Sequence, residues 1–361
     1  MRRWHTVHIA YHDADKDGLL LDAVRPVLAG LGADAAESYV VRHWRRGPHL
    51  RLNVRTDEET WRSRVWPAIE TTVGAYLRSH PSRTVLDQDA ALERHRVLAL
   101  QEHERGPLTP WYPNNSIVAE EFDSRRHVLG SDEAVELLTD FYRDATGALF
   151  DMLGHVRAGR DRRDGVAMHL MLVAAHTAPG PLTSGFVAFR AHAEGFLGVC
   201  AHTGAAHVRP AFDAAYRSRA GELADRVSAV VRALDDPDAP SVPFVREWAA
   251  LLDRYAPRFT SLISDDGLVG PPPPPRSSPG VAHSELHQLM LGNESYRERV
   301  FSRPEFLHYR VALNYTYLHL TRLGLVPIER FRAGHLLANA VEAVYGVSAV
   351  DLVRRIVTPA P

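Results

Sequence analysis

A serine and a histidine three residues apart form the most chemically suggestive pair in this sequence. Ser284 and His287 stand in the stretch SELHQLMLGN, and Gln288 follows directly. Residues three apart on a helix lie on one face, so the hydroxyl and the imidazole can meet. Because histidine exchanges protons near neutral pH, the pair is a candidate for general acid–base chemistry. A helix-capping serine beside a packed histidine is the alternative.

Two tyrosines further along the chain could assist such chemistry. Tyr315 and Tyr317 lie in the stretch NYTYLHL. A phenol is a weak acid that can polarise a carbonyl oxygen by donating a hydrogen bond to it. Both tyrosines are therefore candidate catalytic residues.

Metal and redox chemistry are not indicated by the sequence. The chain has 20 histidines but a single cysteine, Cys200, which excludes a disulfide framework and a cysteine-based zinc site. His283 and His287 are four residues apart and would need a third ligand to hold a metal. We expect no metal and no cofactor.

The stretch SYVVRHWRRGPHLRLNV, residues 38–54, predicts two strands joined by a tight turn and carries four arginines and two histidines. Side chains alternate between the faces of a strand, so we expect the arginines to line one side and the core to lie on the other. Guanidinium groups suit carboxylates and peptide carbonyls. Arg42, His49 and Arg51 are therefore candidate substrate-binding residues. A solvated face balanced by nearby acids is the alternative.

Two further segments carry charged candidates. Glu120 lies in the stretch WYPNNSIVAEEFDSRR, where it could orient the hairpin arginines or merely cap a loop. Arg190 could bind substrate or form an ordinary pair with Glu194, one helical turn away. We include Glu120 and Arg190 among the candidate substrate-binding residues.

Composition and charge limit the class of protein. The chain has 361 residues, 45% of them hydrophobic, and a formal net charge of −2. No overall field attracts nucleic acid or a membrane surface. No stretch approaches the ~20 apolar residues of a membrane span, and the N-terminus lacks the apolar segment of a signal peptide. We expect a cytoplasmic protein with neither nucleic-acid nor membrane partners.

The elements that position the candidate residues follow from the spacing of apolar side chains. Strands at 4–11, 39–44 and 49–54, with helices at 19–31 and from residue 57, give the order β-α-β-β-α. This order is typical of a ferredoxin-like layer.

We predict an α+β fold of one domain, in which this layer packs on a large, mostly helical body. The layer occupies 1–80, an irregular active-site region 81–130, and the helical body 131–361. Five successive prolines, 271–275, place an extended proline-rich loop at 265–280 inside that body.

Three stretches carry a resemblance to a known family. They are WHTVHIAYHDADKDGLLLDAVRPVLAGL near the start, YVVRHWRRGPHLRLNV in the hairpin and SELHQLMLGN near the end. Together they resemble the C-terminal, elimination-type domain of lantibiotic dehydratases, over most of the chain. The piece GPHLRL is the most specific. The resemblance implies an enzyme that acts on a modified precursor peptide.

Stand-alone members of this group have two activities. Some eliminate glutamate from glutamylated serine or threonine. Others, the pyridine synthases of thiopeptide biosynthesis, join two dehydroalanines by a formal 4+2 cycloaddition, lose water and expel the leader peptide, which leaves a pyridine-centred macrocycle. Asn53 stands where eliminating domains commonly have a second arginine, and Met290 and Leu291 replace their Asn-Arg dipeptide. These departures favour a pyridine synthase.

For that activity we hypothesise that His287 is the general acid–base, with Ser284 and Gln288 as hydrogen-bonding neighbours. Tyr315 or Tyr317 would donate to the reacting carbonyl oxygen, and the hairpin residues would hold the leader or core of the peptide. The implied partners are the precursor peptide and other biosynthetic enzymes. A glutamate-eliminating lyase of a split dehydratase and a non-catalytic precursor-peptide-binding subunit are the alternatives.

Overall fold

The computed structural model describes residues 1–178, 180–264, 279–282 and 284–358. The proline-rich loop predicted at 265–280 lies outside the described residues except at its end. His283, the predicted neighbour of His287 in a hypothetical metal site, also lies outside them.

The chain divides into two compact units. The first comprises Met1–Arg160 together with the short segment Thr321–Gly324, and the second comprises Asp161–Leu320 and Leu325–Pro361. A late segment of the chain therefore contributes to the unit that contains the N-terminal residues. The one-domain organisation and its three-part division stay predictions.

A four-stranded antiparallel sheet forms the centre of the first unit. Strands β1 (Arg3–Ala10), β2 (Ser38–His43), β3 (His49–Thr56) and β4 (Ser116–Glu120) lie in the order β2-β3-β1-β4. The predicted α+β class, with a β-α-β-β-α layer and a mostly helical body, is confirmed. Strand β4 was not predicted, because it lies in the region expected to be irregular.

Helices flank and follow these strands in the first unit. The two crossovers each combine short α-helical and π-helical turns with a longer helix. The helical segments are Asp17–Leu19, Leu20–Val24, Arg25–Leu31, Glu58–Thr60, Trp61–Val65, Trp66–Ser79, Gln88–Gln101, Arg126–Leu129, Asp132–Asp144 and Thr146–Arg157.

The two faces of the sheet differ in chemistry. Val7, Ile9, Leu50 and Leu52 point to one face and are completely buried. The residues between them in each strand point to the opposite face and are largely polar. The apolar face is the core of the unit, and the polar face is described with the candidate site.

The prediction that the hairpin arginines share one side is wrong. In the antiparallel pairing of β2 with β3, Val41 stands opposite Arg51 and Arg42 stands opposite Leu50. Directly paired residues point to the same face, so Arg42 lies on the face of Leu50 and Arg51 lies on the other. The length of the turn fixes this register, which the alternation within each strand does not reveal.

A buried arginine joins the late segment to the first unit. Arg322 is 2% exposed and donates hydrogen bonds to the carbonyl of Val40, at 2.9 Å, and to the hydroxyl of Thr146, at 2.6 Å. Burial lowers the pKa of its guanidinium to about 10. The carbonyl of Arg322 in turn accepts a hydrogen bond from Arg42, at 3.0 Å.

The described residues of the second unit form helices and their connections, with no strand. Its most deeply buried helix, Arg163–Thr177, has an unbroken run of buried residues from Gly165 to Ala175. The remaining helical segments are Leu182–Gly185, Val187–His202, Val208–Arg217, Ala220–Asp235, Val245–Ser264, Pro279–Ala282, Glu285–Gly292, Glu294–Tyr296, Arg297–Phe301, Pro304–Leu323, Pro327–Tyr345 and Ala349–Val357. Part of Pro304–Leu323 belongs to the first unit.

Two glycine positions allow close backbone approaches in the second unit. A Cβ placed on Gly185 would overlap the carbonyl oxygen of Ala175 in the central helix. A Cβ placed on Gly280 would lie 2.7 Å from the carbonyl oxygen of Gly195, which is closer than real Cβ contacts allow. Both contacts require the absence of a side chain rather than an unusual backbone conformation.

Within the described residues, no individual helix combines the length and apolar character needed to cross a membrane. One bent pair, Pro327–Tyr345 with Ala349–Val357, meets that test by length and composition alone.

We predict that Gly185→Ala lowers the free energy of unfolding by about 2–3 kcal/mol, because the added methyl group cannot fit against the Ala175 backbone. The matched control is Gly154→Ala, where nothing lies within 4 Å of the added Cβ. That control should raise the free energy of unfolding by about 0.5–1 kcal/mol, as alanine favours a helix interior. Urea unfolding followed by circular dichroism measures both, and equal effects would contradict the packing described for Gly185.

Candidate active site

A cavity of about 960 Å³ lies within the second unit. Its walls come from the helices Leu182–Gly185, Val187–His202, Glu285–Gly292, Pro304–Leu323 and Ala349–Val357 and from the turns between residues 294 and 303. Most lining side chains are apolar. The polar side chains on its wall therefore face a space of low polarity, where hydrogen bonds and charges act more strongly than in water.

Ser284 and His287 meet at the start of one wall helix. Ser284 is the N-cap of Glu285–Gly292, and its hydroxyl accepts a hydrogen bond from the backbone N–H of His287 at 3.3 Å. The same hydroxyl shares a hydrogen bond of 2.8 Å with Nδ1 of the His287 ring. Ser284 is buried, whereas His287 lines the cavity. The Ser284 hydroxyl therefore both caps the helix and orients the imidazole ring of His287.

The helix Val187–His202 provides the surface against which His287 packs. A Cβ placed on Gly195 would lie 3.4 Å from Cε1 and 3.6 Å from Nε2 of His287. Burial lowers the pKa of His287, and the negative charge of Glu194 opposes that change. Glu194 itself is held by Arg209, at 2.6 Å. The ring is neutral at neutral pH and can both accept and donate a proton.

A second polar pair lies at the same wall. His192 lines the cavity, and its Nδ1 is 3.0 Å from the hydroxyl of Tyr317. Burial lowers the pKa of His192 to about 4, with Arg330 and His287 as further causes. Burial raises the pKa of Tyr317 above its ordinary value, so the phenol keeps its proton.

The other predicted catalytic residues lie away from the cavity wall. Gln288 is exposed and donates to the carbonyl of Ala282 at 2.8 Å. Tyr315 is buried, and its ring packs edge-on against Phe259, with ring centres 5.0 Å apart. Neither is among the residues that line the cavity. Of the five predicted catalytic residues, His287 alone lines the cavity, while Ser284 and Tyr317 are connected to it by hydrogen bonds to the lining residues His287 and His192.

Arg190 is held by acidic and amide side chains of the second unit. It donates to Glu342 at 2.5 Å and to Asn339 at 3.0 Å, and it lies 3.9 Å from Glu194. Its side chain is 11% exposed. These contacts account for its charge within the helical unit, and substrate binding by Arg190 stays a prediction.

The polar face of the sheet in the first unit is a second cluster of candidate residues. His8 and His49 stack with ring centres 4.4 Å apart, and Arg51 donates to Nε2 of His49 at 3.3 Å and to Nδ1 of His43 at 3.2 Å. His8 also shares a hydrogen bond of 2.9 Å with the hydroxyl of Tyr112. His49 and Arg51 are therefore neighbours, as predicted from the hairpin, whereas Arg42 lies on the other face and pairs with Asp17 at 3.0 Å.

The histidines of this cluster are uncharged. Burial, assisted by the charges of neighbouring histidine and arginine side chains, lowers the pKa of His8 to about 2. Burial likewise lowers the pKa of His43 and of His49 well below the ordinary value, with neighbouring arginine and histidine charges as further causes. Because arginine only donates hydrogen bonds, the ring nitrogens facing Arg51 must be acceptors.

Acidic residues accompany the arginines of the polar face. Glu120 on β4 lies 3.1 Å from Arg46 and accepts from Tyr112 at 2.8 Å, while Asp123 lies 3.4 Å from Arg51. Glu120 thus contacts a hairpin arginine. Its role in binding substrate stays a prediction, as do those of Arg42, His49 and Arg51.

Comparisons with known proteins match this arrangement to a family. The family model described as the C-terminal part of lantibiotic biosynthesis dehydratases matches residues 4–341. The chain belongs to this family. The resemblance found in the three sequence stretches is therefore confirmed.

Two solved structures share the fold of the chain. The pyridine synthase TbtD from thiomuracin biosynthesis is 34% identical to the chain, with a TM-score of 0.78 over 96% of this chain and 100% of its own. TsrL is 21% identical and covers 100% of both chains at a TM-score of 0.70, which shows the shared fold. No curated protein sequence matches the chain.

Sequence reasoning missed two polar residues of the cavity wall. His192 was not selected because it stands alone in an apolar helix, and only the fold brings Tyr317 and His287 near it. Tyr309 also lines the cavity, but it is buried and its hydroxyl donates to the carbonyl of Gly185 at 2.6 Å.

The buried histidines predict a loss of stability in mild acid. The pKa of His8 is about 2 in the folded protein and 6.5 ordinarily. Between these values the unfolded chain binds a proton at this residue that the folded protein does not. The free energy of unfolding therefore falls as the pH drops below about 6.5, by about 1.4 kcal/mol per pH unit for each such histidine.

Urea unfolding at several pH values between 5.0 and 6.5 measures this slope. We expect His8→Phe to reduce the slope by about one proton, or 1.4 kcal/mol per pH unit. The control Thr6→Val removes a hydrogen bond of 2.7 Å to Asn53 on the same face and should lower stability without changing the slope. An unchanged slope in His8→Phe would show that this histidine is charged in the folded protein.

Proposed function

We propose that this protein is a pyridine synthase of thiopeptide biosynthesis, which joins two dehydroalanines of a modified precursor peptide and releases the leader peptide. The similarity to the pyridine synthase TbtD, 34% identical over 96% of this chain, is the observation that carries the proposal. The cavity supports it, because a mostly apolar space with two hydrogen-bonded polar pairs at its wall suits a reaction between uncharged alkenes that needs proton transfers.

The size of the cavity suits part of a peptide. A volume of about 960 Å³ holds a few residues rather than a whole precursor. Holding the two alkenes in contact converts a reaction between distant groups into a local one, which can lower the barrier by roughly 7–11 kcal/mol. Apolar walls also keep water away from the reactive dehydroalanines.

The reaction requires protons to move at defined atoms. The amide that precedes one dehydroalanine loses its N–H proton and gains a proton on its carbonyl oxygen, which creates an azadiene. Two new carbon–carbon bonds to the second dehydroalanine close a six-membered ring without change in mass. Loss of water, and then of the leader peptide as an amide, gives the pyridine.

The two polar pairs at the wall supply these proton transfers. His287, held by Ser284, takes the amide proton and later returns a proton to a leaving group. Tyr317, which keeps its proton and is held by His192, donates to the carbonyl oxygen. The neutral state of both histidines suits this work, because a neutral imidazole can accept a proton on one nitrogen and donate from the other.

The polar face of the first unit is proposed to hold the peptide outside the reacting residues. Arg51 and His49 carry donors and acceptors of the kind that peptide groups require, but both are buried, so a peptide would reach them only after neighbouring side chains move. The edge strands β2 and β4 could also accept an extended segment through main-chain hydrogen bonds. Binding of the leader, contact with other biosynthetic enzymes and a cytoplasmic location stay predictions.

Incubation with a dehydrated, azole-bearing precursor peptide tests the proposed function. A macrocycle together with a released leader amide, identified by mass spectrometry, is the expected result. Release of glutamate from a glutamylated peptide would instead identify a lyase, and binding without turnover would identify a peptide-binding subunit. Either of these results, in the absence of the macrocycle, overturns the proposal.

The roles proposed for His287 and Tyr317 predict that substitutions of these residues lower kcat/KM more than a substitution of Tyr315 does. His287→Ala and Tyr317→Phe should each lower kcat/KM by about 10²–10⁴-fold, the usual contribution of a general acid or base. Tyr315→Phe serves as the matched control, since Tyr315 packs in the core away from the cavity wall and should retain near-normal activity. Single-turnover kinetics with the same precursor make the comparison, and equal losses in the two tyrosine variants would refute the assignment of Tyr317.

A further inference from the structure

Unpaired arginines surround the apolar cavity of the second unit. Arg297, Arg299, Arg303 and Arg355 all line the cavity, and their side chains are exposed. None of the four forms an ion pair with a carboxylate among the residues that the structure describes. Among the described residues that line the cavity, Glu305 is the one with an acidic side chain. We refer to these four arginines as the cationic rim.

A neighbouring arginine outside the cationic rim does have carboxylate partners. Arg354, adjacent to Arg355 on the same helix, pairs with Glu285 and, at 3.0 Å, with Asp351. Among the described residues, the Arg355 side chain instead makes only one long hydrogen bond, from Nε to the Asp351 carbonyl at 3.4 Å. Glu285 and Asp351 are therefore engaged by an arginine that does not line the cavity.

One rim side chain is positioned by the protein backbone. Arg299 donates to the carbonyl of Ile356 at 3.2 Å, which joins the turn Arg297–Phe301 to the C-terminal end of the helix Ala349–Val357. A guanidinium group has five N–H donors, so this bond leaves several for a ligand. Arg297 and Arg303 have no side-chain hydrogen bond among the described residues.

The cavity below the rim is lined by apolar groups such as Val187, Met290, Phe306 and Val353. A ligand that fits both regions has an uncharged, apolar body and an anionic end. Azoles and dehydroalanines are uncharged, so the reacting part of the proposed substrate supplies the body. Every translated peptide also carries an α-carboxylate at its C-terminus, unless that end is modified, whatever its side chains.

We propose that the cationic rim binds the C-terminal carboxylate of the core peptide while the dehydroalanines occupy the cavity. This inference rests on the proposed function for the identity of the peptide. Fixing the C-terminal end would set the direction in which the core enters, and would bring the same two alkenes together in each turnover. The rim is thus a binding and orienting site.

Matched peptides test the inference directly. A leader-bearing, dehydrated precursor is prepared with either a free C-terminal acid or a C-terminal amide, and fluorescence anisotropy measures Kd for each. We expect the amide to bind about tenfold more weakly, since several exposed charge pairs are lost. The difference should shrink at high salt, because the rim is open to solvent.

Variants of the rim arginines test whether the cationic rim causes the difference in Kd between the acid and the amide. In the double variant Arg297→Gln, Arg303→Gln, the acid and the amide should bind equally, while the control Arg217→Gln, Arg232→Gln should retain the tenfold difference. Arg217 and Arg232 are exposed arginines of the second unit that do not line the cavity. Exposed substitutions of this kind leave the fold unchanged.

The outcomes separate this inference from the proposed function. Macrocycle formation without any difference in Kd between acid and amide overturns the rim site alone. A rim-dependent difference in Kd without macrocycle formation overturns the proposed function but not carboxylate binding. If the rim variant instead loses affinity only for precursors whose leader retains its acidic residues, the leader is the anion and the inference is wrong.

Discussion

The close approach of two backbones at Gly195 and Gly280 is the constraint on which the cavity wall depends. A side chain at Gly280 would overlap the carbonyl oxygen of Gly195, so the segment around residue 280 can lie against the helix Val187–His202 only with glycine there. His287 follows within two helical turns, and its ring occupies the space beside Gly195. The same helix carries His192, so one contact between glycines brings both histidines to a single wall.

Burial gives the two units a common electrostatic character. In each of them, histidines lie in surroundings that disfavour charge, and the positive charge resides on arginines. On the sheet face these arginines have acidic partners, whereas on the rim of the cavity four of them have none among the described residues. The neutral histidines and the arginines without a described acidic partner therefore lie at different places in the structure.

Local sequence signals predicted elements and short-range pairs well. The turn chemistry of Gly47 and Pro48, flanked by strand-forming residues, predicted the hairpin, and the three-residue spacing predicted the contact of Ser284 with His287. Spacing could not reveal which face each arginine occupies, because that depends on how β2 pairs with β3. Spacing also missed β4. Its five residues follow the irregular segment that contains Pro107, Pro110 and Pro113, and they form a strand by pairing with β1.

The spacing of residues in the sequence could not predict contacts between distant parts of the chain. His192 and Tyr317 are 125 residues apart, and nothing in either local stretch indicates that they share a hydrogen bond. Tyr315 and Tyr317 looked equivalent in the sequence because they are two residues apart. On a helix that separation turns side chains by about 200°, so one tyrosine packs into the core and the other meets His192.

Arg322 also has a consequence for how the polypeptide matures as it leaves the ribosome. Its guanidinium satisfies the Val40 carbonyl and the Thr146 hydroxyl, and both acceptors emerge long before residue 322 is made. The sheet-containing unit consequently cannot complete its interior co-translationally from its first 160 residues. A fragment that ends after residue 160 would lack the Arg322 guanidinium, so the Val40 carbonyl and the Thr146 hydroxyl would lose this hydrogen-bond donor.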